Sequence, residues 1–574
     1  MDYIFTILAL LLAHPLVAQT TYDEPDETST VIDAEAWKGV GKAFHITWAD
    51  ANIHYARHAA PAVDIRRDTT IIAWRGERVG MRGLLFTNGA SAPAVTLSVK
   101  AVGKNDPATA LTPTASWLRY VTTDSFSTCG YHPDTLAPYT VAEVIDLPAT
   151  KARIQAAEVR PFWVSVEVPR DIPAGDYRYT LSLKGAKAKA LTFTVKVIDR
   201  QLPEPHDYTF HLDLWQQPYS VARYNNVEPW SDEHFCLMRP YMQELARCGQ
   251  KVVSAILFYE PWGQQSNDKF EPMIQVVRHT AADGSASWSY DYSIFDRWVE
   301  FMAECGIDEQ IDCYSMVPWD MTFRYTTEAG DTINLKTTTD TAEYRDLWID
   351  YLRNFAAHLR EKGWFDKTCI AMDERGLPDM LRAYHIAQYA VPGIRMTLAG
   401  NYHKELADIL YDYAVAYGQT FTPEEKAARR AEGKHSTYYT CCTDAHPGLF
   451  SNSNPIDATF IPLYAAAADF DGWLHWSWLN WTDDPLHDSR FFLFAPGDTY
   501  FFYPGPRSSL RHERLLEGIQ QFEKLRIVLD DANTPAAVRS AIKDNLYKTI
   551  LNEPAQEPAA LADILARAKA LINQ

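Results

Sequence analysis

The sequence predicts a mixed α/β plus β protein: an N-terminal β-sandwich, then a (β/α)8 barrel, then C-terminal helices. Between residues 43 and 198, short β-branched or aromatic segments alternate with turn residues, which is typical of a sandwich. After residue 205 the pattern changes to strand, helix, strand, helix. Eight parallel-type strands in this second region favour closure into a barrel, with an open doubly wound sheet as the alternative.

These patterns divide the 574 residues into four segments, as expected for a chain too long for one core. Residues 201–205, Gln-Leu-Pro-Glu-Pro, are typical of a stiff linker between the two large segments. The predicted segments are a signal peptide (1–18), a β-sandwich domain (20–200), a catalytic barrel (206–507) and C-terminal helices (508–574).

The strand and helix predictions follow hydrophobic periodicity and turn residues, with glycines 249, 306 and 363 ending three helices. The predicted sandwich strands are 70–74, 81–86, 95–99, 162–168, 177–183 and 191–198. The predicted barrel strands are 209–214, 252–258, 309–316, 368–372, 395–399, 410–415, 438–443 and 472–478. The predicted barrel helices are 232–248, 293–305, 341–361, 377–390, 423–431 and 455–468.

The first 18 residues resemble a secretory signal peptide, with an apolar run at 4–12 and Leu-Val-Ala before Gln19. Asp2 stands where such peptides usually carry positive charge. We therefore expect an exported protein, periplasmic or secreted. The apolar run is too short to span a membrane, and no other stretch is long enough.

The amino-acid composition excludes some classes of binding partner and favours others. A formal charge of −20 argues against nucleic acid and anionic membranes as partners. The 17 tryptophans and 31 tyrosines exceed what a core requires, and such rings stack on the apolar faces of sugars. A glycan partner is expected, while the oligomeric state stays open.

No cofactor or metal is predicted. The chain has no Gly-x-Ser-x-Gly elbow and no phosphate-cradling glycine-rich loop. His403, His446 and His475 lack close metal-ligand spacing. The eight cysteines lack it too and are expected to be buried free thiols, with Cys441 and Cys442 inside a strand.

Asp373 and Glu374 directly follow the fourth predicted barrel strand. Paired acids also occur elsewhere in this chain, so their position carries the argument. Ligands of barrels bind at the carboxyl ends of the strands. We therefore predict that Asp373 and Glu374 are the catalytic residues.

Aromatic and amide residues follow other predicted strands or lie within them, so they should surround the same barrel mouth. We expect them to bind substrate. These residues are Trp215, Trp319, Asn401, Tyr438, Trp476 and Trp478.

Two carboxylates with aromatic walls suit glycosidic cleavage. In the ordinary retaining mechanism the two carboxylates lie on opposite sides of the scissile bond, roughly 5 Å apart. Residues that are neighbours in the chain are poorly placed for this arrangement. Adjacent carboxylates suit a mechanism in which the substrate's 2-acetamido oxygen is the nucleophile. Because pleating directs neighbours to opposite faces, the strand must bend at this pair. We expect Asp373 to stay ionised and Glu374 to start protonated.

Residues 43–525 resemble glycoside hydrolase family 123. The motifs are Leu-Asp-Leu-Trp at 212–215, Ala-Met-Asp-Glu at 371–374, Gly-Trp-Leu-His-Trp at 472–476, Tyr-Pro-Gly at 503–505 and Ser-Leu-Arg-His-Glu at 509–513. The resemblance implies a sandwich followed by a barrel, and an exo-acting β-N-acetylgalactosaminidase. It also implies that Asp373 assists the acetamido group and that Glu374 is the acid/base.

Two alternatives stay open on the sequence. One is a carbohydrate-binding barrel without catalysis, against which the Asp-Glu pair argues, because stacking needs no carboxylates. The other is a conventional two-carboxylate glycosidase of different sugar specificity, pairing Glu374 with Asp213 or Asp444.

Overall fold

The computed structural model describes residues 23–27, 32–103, 111–126, 128–130, 135–552 and 557–574. The predicted signal peptide therefore lies outside the described residues. The described chain forms a two-sheet domain, an eight-stranded parallel barrel and a group of C-terminal helices. Among its helices we find none with the length and apolarity needed to cross a bilayer.

The N-terminal domain is a sandwich of two five-stranded sheets, preceded by helix α1 (Ala34–Val40). Its strands are β1 (His45–Ala49), β2 (Asp68–Arg75), β3 (Arg78–Thr87), β4 (Ala92–Ala101), β5 (Thr114–Thr123), β6 (Tyr139–Ile145), β7 (Ala152–Ile154), β8 (Glu158–Glu167), β9 (Gly175–Lys184) and β10 (Leu191–Gln201). The sheet orders are β1-β3-β8-β5-β6 and β2-β10-β9-β4-β7. Both sheets contribute side chains to one buried cluster, in which Trp48 packs against Phe162 and Phe193.

The barrel contains eight parallel strands in sequential order. They are β11 (His211–Leu214), β12 (Val252–Ile256), β15 (Gln310–Tyr314), β18 (Thr368–Met372), β19 (Arg395–Gly400), β20 (Asp412–Ala416), β21 (His435–Tyr439) and β22 (Gly472–His475). A bridge between Leu212 and Gln250, with Lys251 N donating to Leu212 O at 3.0 Å, joins β11 to the start of β12 and closes the ring. The predicted barrel is therefore confirmed.

Helices alternate with these strands and cover the barrel. They are α2 (Pro218–Asn225), α3 (Asp232–Arg247), α4 (Ser293–Cys305), α5 (Ala342–Lys362), α6 (Leu377–Ala390), α7 (Lys404–Ala407), α8 (Pro423–Ala431) and α9 (Pro455–Ala468). The C-terminal helices are α10 (Leu510–Asp530), α11 (Ala536–Ser540), α12 (Tyr547–Asn552) and α13 (Pro558–Ile572).

A small four-stranded sheet was not predicted. Its strands, in the order β14-β13-β16-β17, are β13 (Gln275–Thr280), β14 (Ala286–Asp291), β16 (Thr322–Thr327) and β17 (Thr332–Lys336). They lie in the connections that follow β12 and β15. Most of their side chains are at least partly exposed. In β16, Phe323 and Tyr325 alternate with polar residues, a strand pattern inside a connection that sequence reasoning missed.

One arginine of α10 joins the sandwich to the barrel. Arg511 is buried, and its Nε donates to Glu143 Oε1 of β6 at 2.6 Å. Its two terminal nitrogens donate to the carbonyls of Leu449, Gly497 and Tyr500, which belong to the connections after β21 and β22. The sandwich is therefore tied to the same connections that form one side of the barrel mouth.

Candidate active site

A cavity of about 470 Å³ lies at the carboxyl ends of the barrel strands. All eight strands, or the connections after them, contribute to its wall. The residues that line it include Cys129, Trp215, Trp262, Gln265, Trp319, Asp373, Glu374, Asn401, Tyr417, Tyr439, Cys441, Cys442, Thr443, Asp444, Trp476 and Phe494.

The two predicted catalytic carboxylates share this cavity. Strand β18 is fully buried and ends at Met372, one residue before Asp373, and the chain bends at Glu374. The bend removes the strict alternation of a pleated strand, so both side chains reach the same space. Asp373 is only 5% exposed, whereas Glu374 is exposed.

The surroundings of Asp373 favour a protonated carboxyl group. Burial raises the pKa of Asp373 to about 7, against the opposing effects of Ser315, Arg375 and Trp262. The expectation that Asp373 stays ionised while it holds the acetamido group stays a prediction, and burial acts against the ionised form in the free cavity. Its Oδ2 atom has no hydrogen-bond partner among the described residues, so it can accept a bond from a ligand.

Glu374 is positioned by a tyrosine that sequence reasoning missed. The hydroxyl of Tyr439 donates to Glu374 Oε1. Tyr438, which was predicted to bind substrate, is fully buried, and its hydroxyl donates to the carbonyl of Ile461 in α9 at 2.7 Å. Strand β21 runs three to four residues earlier than predicted, and its pleat directs neighbouring tyrosines to opposite sides. Tyr439 therefore replaces Tyr438 as the cavity tyrosine.

Two tryptophans, Trp215 and Trp262, line the cavity beside Asp373, and Tyr314 packs behind them. Trp215 stacks on Trp262 with 5.1 Å between ring centroids and contacts Tyr314 at 4.5 Å. The indole nitrogen of Trp215 donates to Asp213 Oδ2 at 3.3 Å, which fixes the ring's orientation. These flat apolar surfaces can stack on a sugar ring.

Trp319 and Asn401 stand at the rim of the cavity. Trp319 is 38% exposed, and the Arg375 guanidinium both lies 5.5 Å from its ring centroid and donates to its carbonyl at 2.8 Å. Asn401 is exposed, and its Oδ1 accepts a hydrogen bond from Gln419 Nε2 at 2.7 Å. Both predicted residues can therefore meet a ligand that enters the cavity.

Trp476 and Trp478 have different surroundings. Trp476 lines the cavity, packs on Phe494 at 4.7 Å and donates its indole N–H to Asp498 Oδ2 at 3.2 Å. Trp478 is fully buried against Phe502 and does not line the cavity. Because β22 ends at His475, the pleat that would place both rings on one face does not continue.

Of the two further acids weighed on the sequence, only one reaches the cavity. Asp213 is buried inside the barrel beneath Trp215, where burial raises its pKa to about 7. Asp444 lines the cavity, and its Oδ2 accepts a hydrogen bond from the backbone of Cys441 at 2.9 Å. Burial also raises the pKa of Asp444.

The cysteine prediction needs correction at the cavity. Cys129 of the sandwich forms a disulfide with Cys442, and Cys441 beside it is a free thiol. Both Cys441 and Cys442 follow β21 rather than lying inside it. The 313 residues that separate the bonded pair leave no spacing from which sequence reasoning could infer it.

Two of the three histidines considered on the sequence, His446 and His475, have hydrogen-bond partners for their rings. His446 Nδ1 lies 3.1 Å from Asp457 Oδ1, and His475 lies between the carbonyls of Thr440 and Asp498. Two groups of metal-ligand type occur among the described residues, both outside the cavity lining. They are His211 with Glu309 and His435, and Glu244 with Cys248 and His512.

Comparison with known families now assigns the chain. The model "Glycoside hydrolase 123, catalytic domain" matches residues 215–528, and "Glycoside hydrolase 123 N-terminal domain" matches residues 48–185. The chain belongs to glycoside hydrolase family 123. It is therefore a glycoside hydrolase that acts on glycans, and the cavity occupies the catalytic domain.

Solved structures agree on the fold. A family 123 glycoside hydrolase from Clostridium perfringens, studied for glycolipid glycan hydrolysis, superposes with a TM-score of 0.80 at 22% identity, covering 93% of this chain and 97% of that one. A Bacteroides ovatus GH5 xyloglucanase (9% identity, 83% and 100% covered, TM-score 0.26) and a Streptomyces plicatus β-hexosaminidase (12% identity, 70% and 73% covered, TM-score 0.23) match too weakly to support any argument. No curated protein matches the sequence.

Proposed function

We propose that this family 123 enzyme is an exo-acting β-N-acetylgalactosaminidase with a retaining, substrate-assisted mechanism. The observation that carries the proposal is that Asp373 and Glu374, neighbours in the chain, line one cavity. Neighbours on one strand end are poorly placed to flank an anomeric carbon from opposite sides. The substrate's own acetamido oxygen then supplies the attack.

In this proposal Asp373 binds the acetamido N–H through its unpartnered Oδ2 atom. The acetamido oxygen attacks the anomeric carbon to form a bicyclic oxazolinium ion, while Glu374 protonates the departing glycosidic oxygen. Glu374 then takes a proton from water, which opens the oxazolinium ring and leaves the β configuration in the product. Tyr439, whose hydroxyl donates to Glu374, holds that carboxyl group toward the reacting bond.

The raised pKa of Asp373 has a kinetic consequence in this mechanism. The free enzyme must lose the Asp373 proton before that carboxylate can accept the N–H bond and stabilise the positive charge. We therefore expect kcat/KM to fall as the pH decreases below about 7. Once bound, the N–H donor favours the ionised form, so the kcat profile should hold to lower pH; initial rates across a pH series measure both.

The shape of the site supports action on a terminal sugar. The cavity is bordered by connections from all eight barrel strands and by Cys129 of the sandwich, and its volume is about 470 Å³. A pocket of this size, bordered on every side of the barrel mouth, suits a chain end better than the interior of a polysaccharide. Glycolipid or glycoprotein glycans with terminal N-acetylgalactosamine are the proposed substrates.

Three aryl glycosides test the sugar specificity: the β-N-acetylgalactosaminide, the β-N-acetylglucosaminide and the β-galactoside. The proposal expects cleavage of the first, little of the second and almost none of the third, which lacks the acetamido group. NMR of the initial product should show the β anomer, and a thiazoline analogue of the intermediate should inhibit strongly. An α product, or equal cleavage of the galactoside, contradicts the mechanism.

A conventional two-carboxylate mechanism is a second candidate, because Asp444 also lines the cavity. It predicts a covalent glycosyl-enzyme on Asp444 or Glu374. Mass spectrometry of enzyme quenched during turnover of a slow fluorinated glycoside distinguishes the two. A glycosylated Asp444 peptide establishes the second mechanism, and retained activity in Asp444→Asn eliminates it.

We further propose that the protein is exported. The Cys129–Cys442 disulfide supports this, because such bonds persist in oxidising compartments. The signal-like residues 1–18 support it independently. Fractionation of cells that produce the full chain, with N-terminal sequencing of the mature protein, tests it; uncleaved protein in the cytoplasm would refute it.

A further inference from the structure

Among the described residues, one of the sandwich domain lines the candidate cavity. Of the described residues that line the cavity, Cys129 alone comes from the sandwich. It lies in the connection between β5 and β6, and its disulfide partner Cys442 lies in the connection after β21. The disulfide is therefore a covalent link between the two domains at the edge of the sugar site.

The segment around Cys129 is attached on a second side as well. Gly130 N donates to the carbonyl of Leu493 at 3.1 Å. The next residue, Phe494, packs on Trp476, and both rings line the cavity. Residues 128–130 thus join the connection after β21 to the connection after β22, and close the wall between them.

The base of the same connection is already fixed to the barrel. Thr122 N donates to the carbonyl of His487 at 2.7 Å, and Asn452 Nδ2 donates to the carbonyl of Asp124 at 2.6 Å. These bonds anchor the connection but do not reach the cavity. Only the disulfide and the Gly130 bond, among the contacts of the described segment 128–130, hold its tip at the wall.

We propose that the Cys129–Cys442 disulfide is a positioning element of the glycan site, so that its reduction opens the wall and weakens substrate binding. The inference rests on the proposed glycosidase site. Cys129 is exposed, so a dithiol in solution can reach it. One thiolate of the reductant attacks a sulfur and breaks the S–S bond. Its second thiol then releases the protein, leaving Cys129 and Cys442 as thiols and the reductant as a disulfide.

The neighbouring free thiol does not break the disulfide by itself. Cys441 lines the cavity, and its Sγ lies 3.2 Å from Thr443 Oγ1. Burial raises the pKa of the Cys441 thiol to about 11, so little of it is thiolate at neutral pH. An external reductant is needed to open the bond.

The central experiment compares the full-length wild type with the double variant Cys129→Ser/Cys442→Ser. Both cysteines are replaced because a single change would leave a thiol free to pair with Cys441. The matched control is Cys236→Ser, which removes an exposed free thiol of α3. KM and kcat are measured on the aryl β-N-acetylgalactosaminide and on a longer glycan.

We expect KM to rise by about tenfold in the double variant, with kcat within about threefold, because a loosened wall must be ordered by the ligand. Wild-type enzyme treated with dithiothreitol should show the same change together with two additional titratable thiols. The control should be unaffected, and dithiothreitol should not alter the double variant. The reduction arm decides the question if the double variant does not fold.

The proposal is overturned if KM is unchanged in both the double variant and the reduced wild type, even when the melting temperature falls. The disulfide would then have a purely structural role. A wild type inactive on every N-acetylgalactosaminide refutes the proposed function instead. In that case the same comparison of KM is made on the β-glycoside that the enzyme does cleave, with the same two readings.

Discussion

Replacing Asp373 by asparagine is expected to abolish turnover and yet to stabilise the folded protein above neutral pH. The carboxyl group is 5% exposed, and one of its oxygens has no partner among the described residues. Its ionised form therefore loses hydration on folding without full replacement. An amide of similar size carries no charge and avoids that cost.

The magnitude follows from the pKa of Asp373, which rises from 3.8 to about 7 on folding. Each pKa unit corresponds to about 1.4 kcal/mol, so the ionised group costs about 4 kcal/mol above pH 7. Between pH 3.8 and pH 7 the unfolded chain is ionised while the folded one keeps its proton, so the cost grows as the pH rises. At pH 5 it is about 2 kcal/mol.

Thermal unfolding of Asp373→Asn and wild type at pH 5 and pH 8 measures the difference. An unfolding entropy of about 2.1 cal/mol/K per residue gives about 1.2 kcal/mol/K for 574 residues. The variant's advantage in melting temperature should therefore grow by about 2–3 °C from pH 5 to pH 8.

The matched control is Glu374→Gln, which removes an exposed carboxylate from the neighbouring position and no buried charge. Its melting temperature should not show this gain at high pH. A variant of Asp373 that is less stable than wild type at pH 8 and not at pH 5 would refute the reasoning. It would mean that the ionised carboxylate is well compensated in the free cavity.

Four further substitutions test the cavity and its surroundings. Glu374→Gln should lower turnover of natural glycans by about 10²- to 10⁴-fold. The loss should be smaller for aryl glycosides with acidic leaving groups. A variant as active as the wild type on both substrates would exclude Glu374 from the acid/base role. Tyr439→Phe should lower kcat by about 10- to 100-fold, the value of a hydrogen bond to a charged group; an unchanged kcat would make that bond incidental. Trp476→Ala should raise KM without a large change in melting temperature. Trp478→Ala should cost about 3–5 kcal/mol of stability and leave the kinetics of the folded fraction intact. If Trp476→Ala instead destabilises the protein and Trp478→Ala raises KM, the roles of the two residues are exchanged.

The position of Asp373 and Glu374 in the cavity could be predicted because it depends on local chemistry. A short apolar run that ends in two acids and a glycine identified β18, and the structure has that strand at the predicted residues. The barrel followed from the repetition of such strands with intervening helices. Both signals are carried by consecutive residues, which a sequence displays directly.

The errors have a different origin. For Tyr438 and Trp478 the prediction depends on where two strands begin and end, and a shift of these ends by a few residues changes which side chain faces the cavity. The pairing of Cys129 with Cys442 depends on how two domains dock, which no local pattern encodes. The burial that raises the pKa of Asp373 likewise comes from the barrel around it rather than from sequence neighbours.

The guanidinium of Arg511 limits how the sandwich can be separated from the rest of the protein. It is buried, and its charge is balanced by Glu143 of the sandwich while its other donors are taken by carbonyls of the barrel. The barrel and its C-terminal helices, expressed without the sandwich, would keep the arginine and lose the carboxylate that balances its charge. The sandwich is therefore an obligate half of the catalytic unit and not an accessory module, and hybrids between family members must exchange Arg511 and Glu143 together.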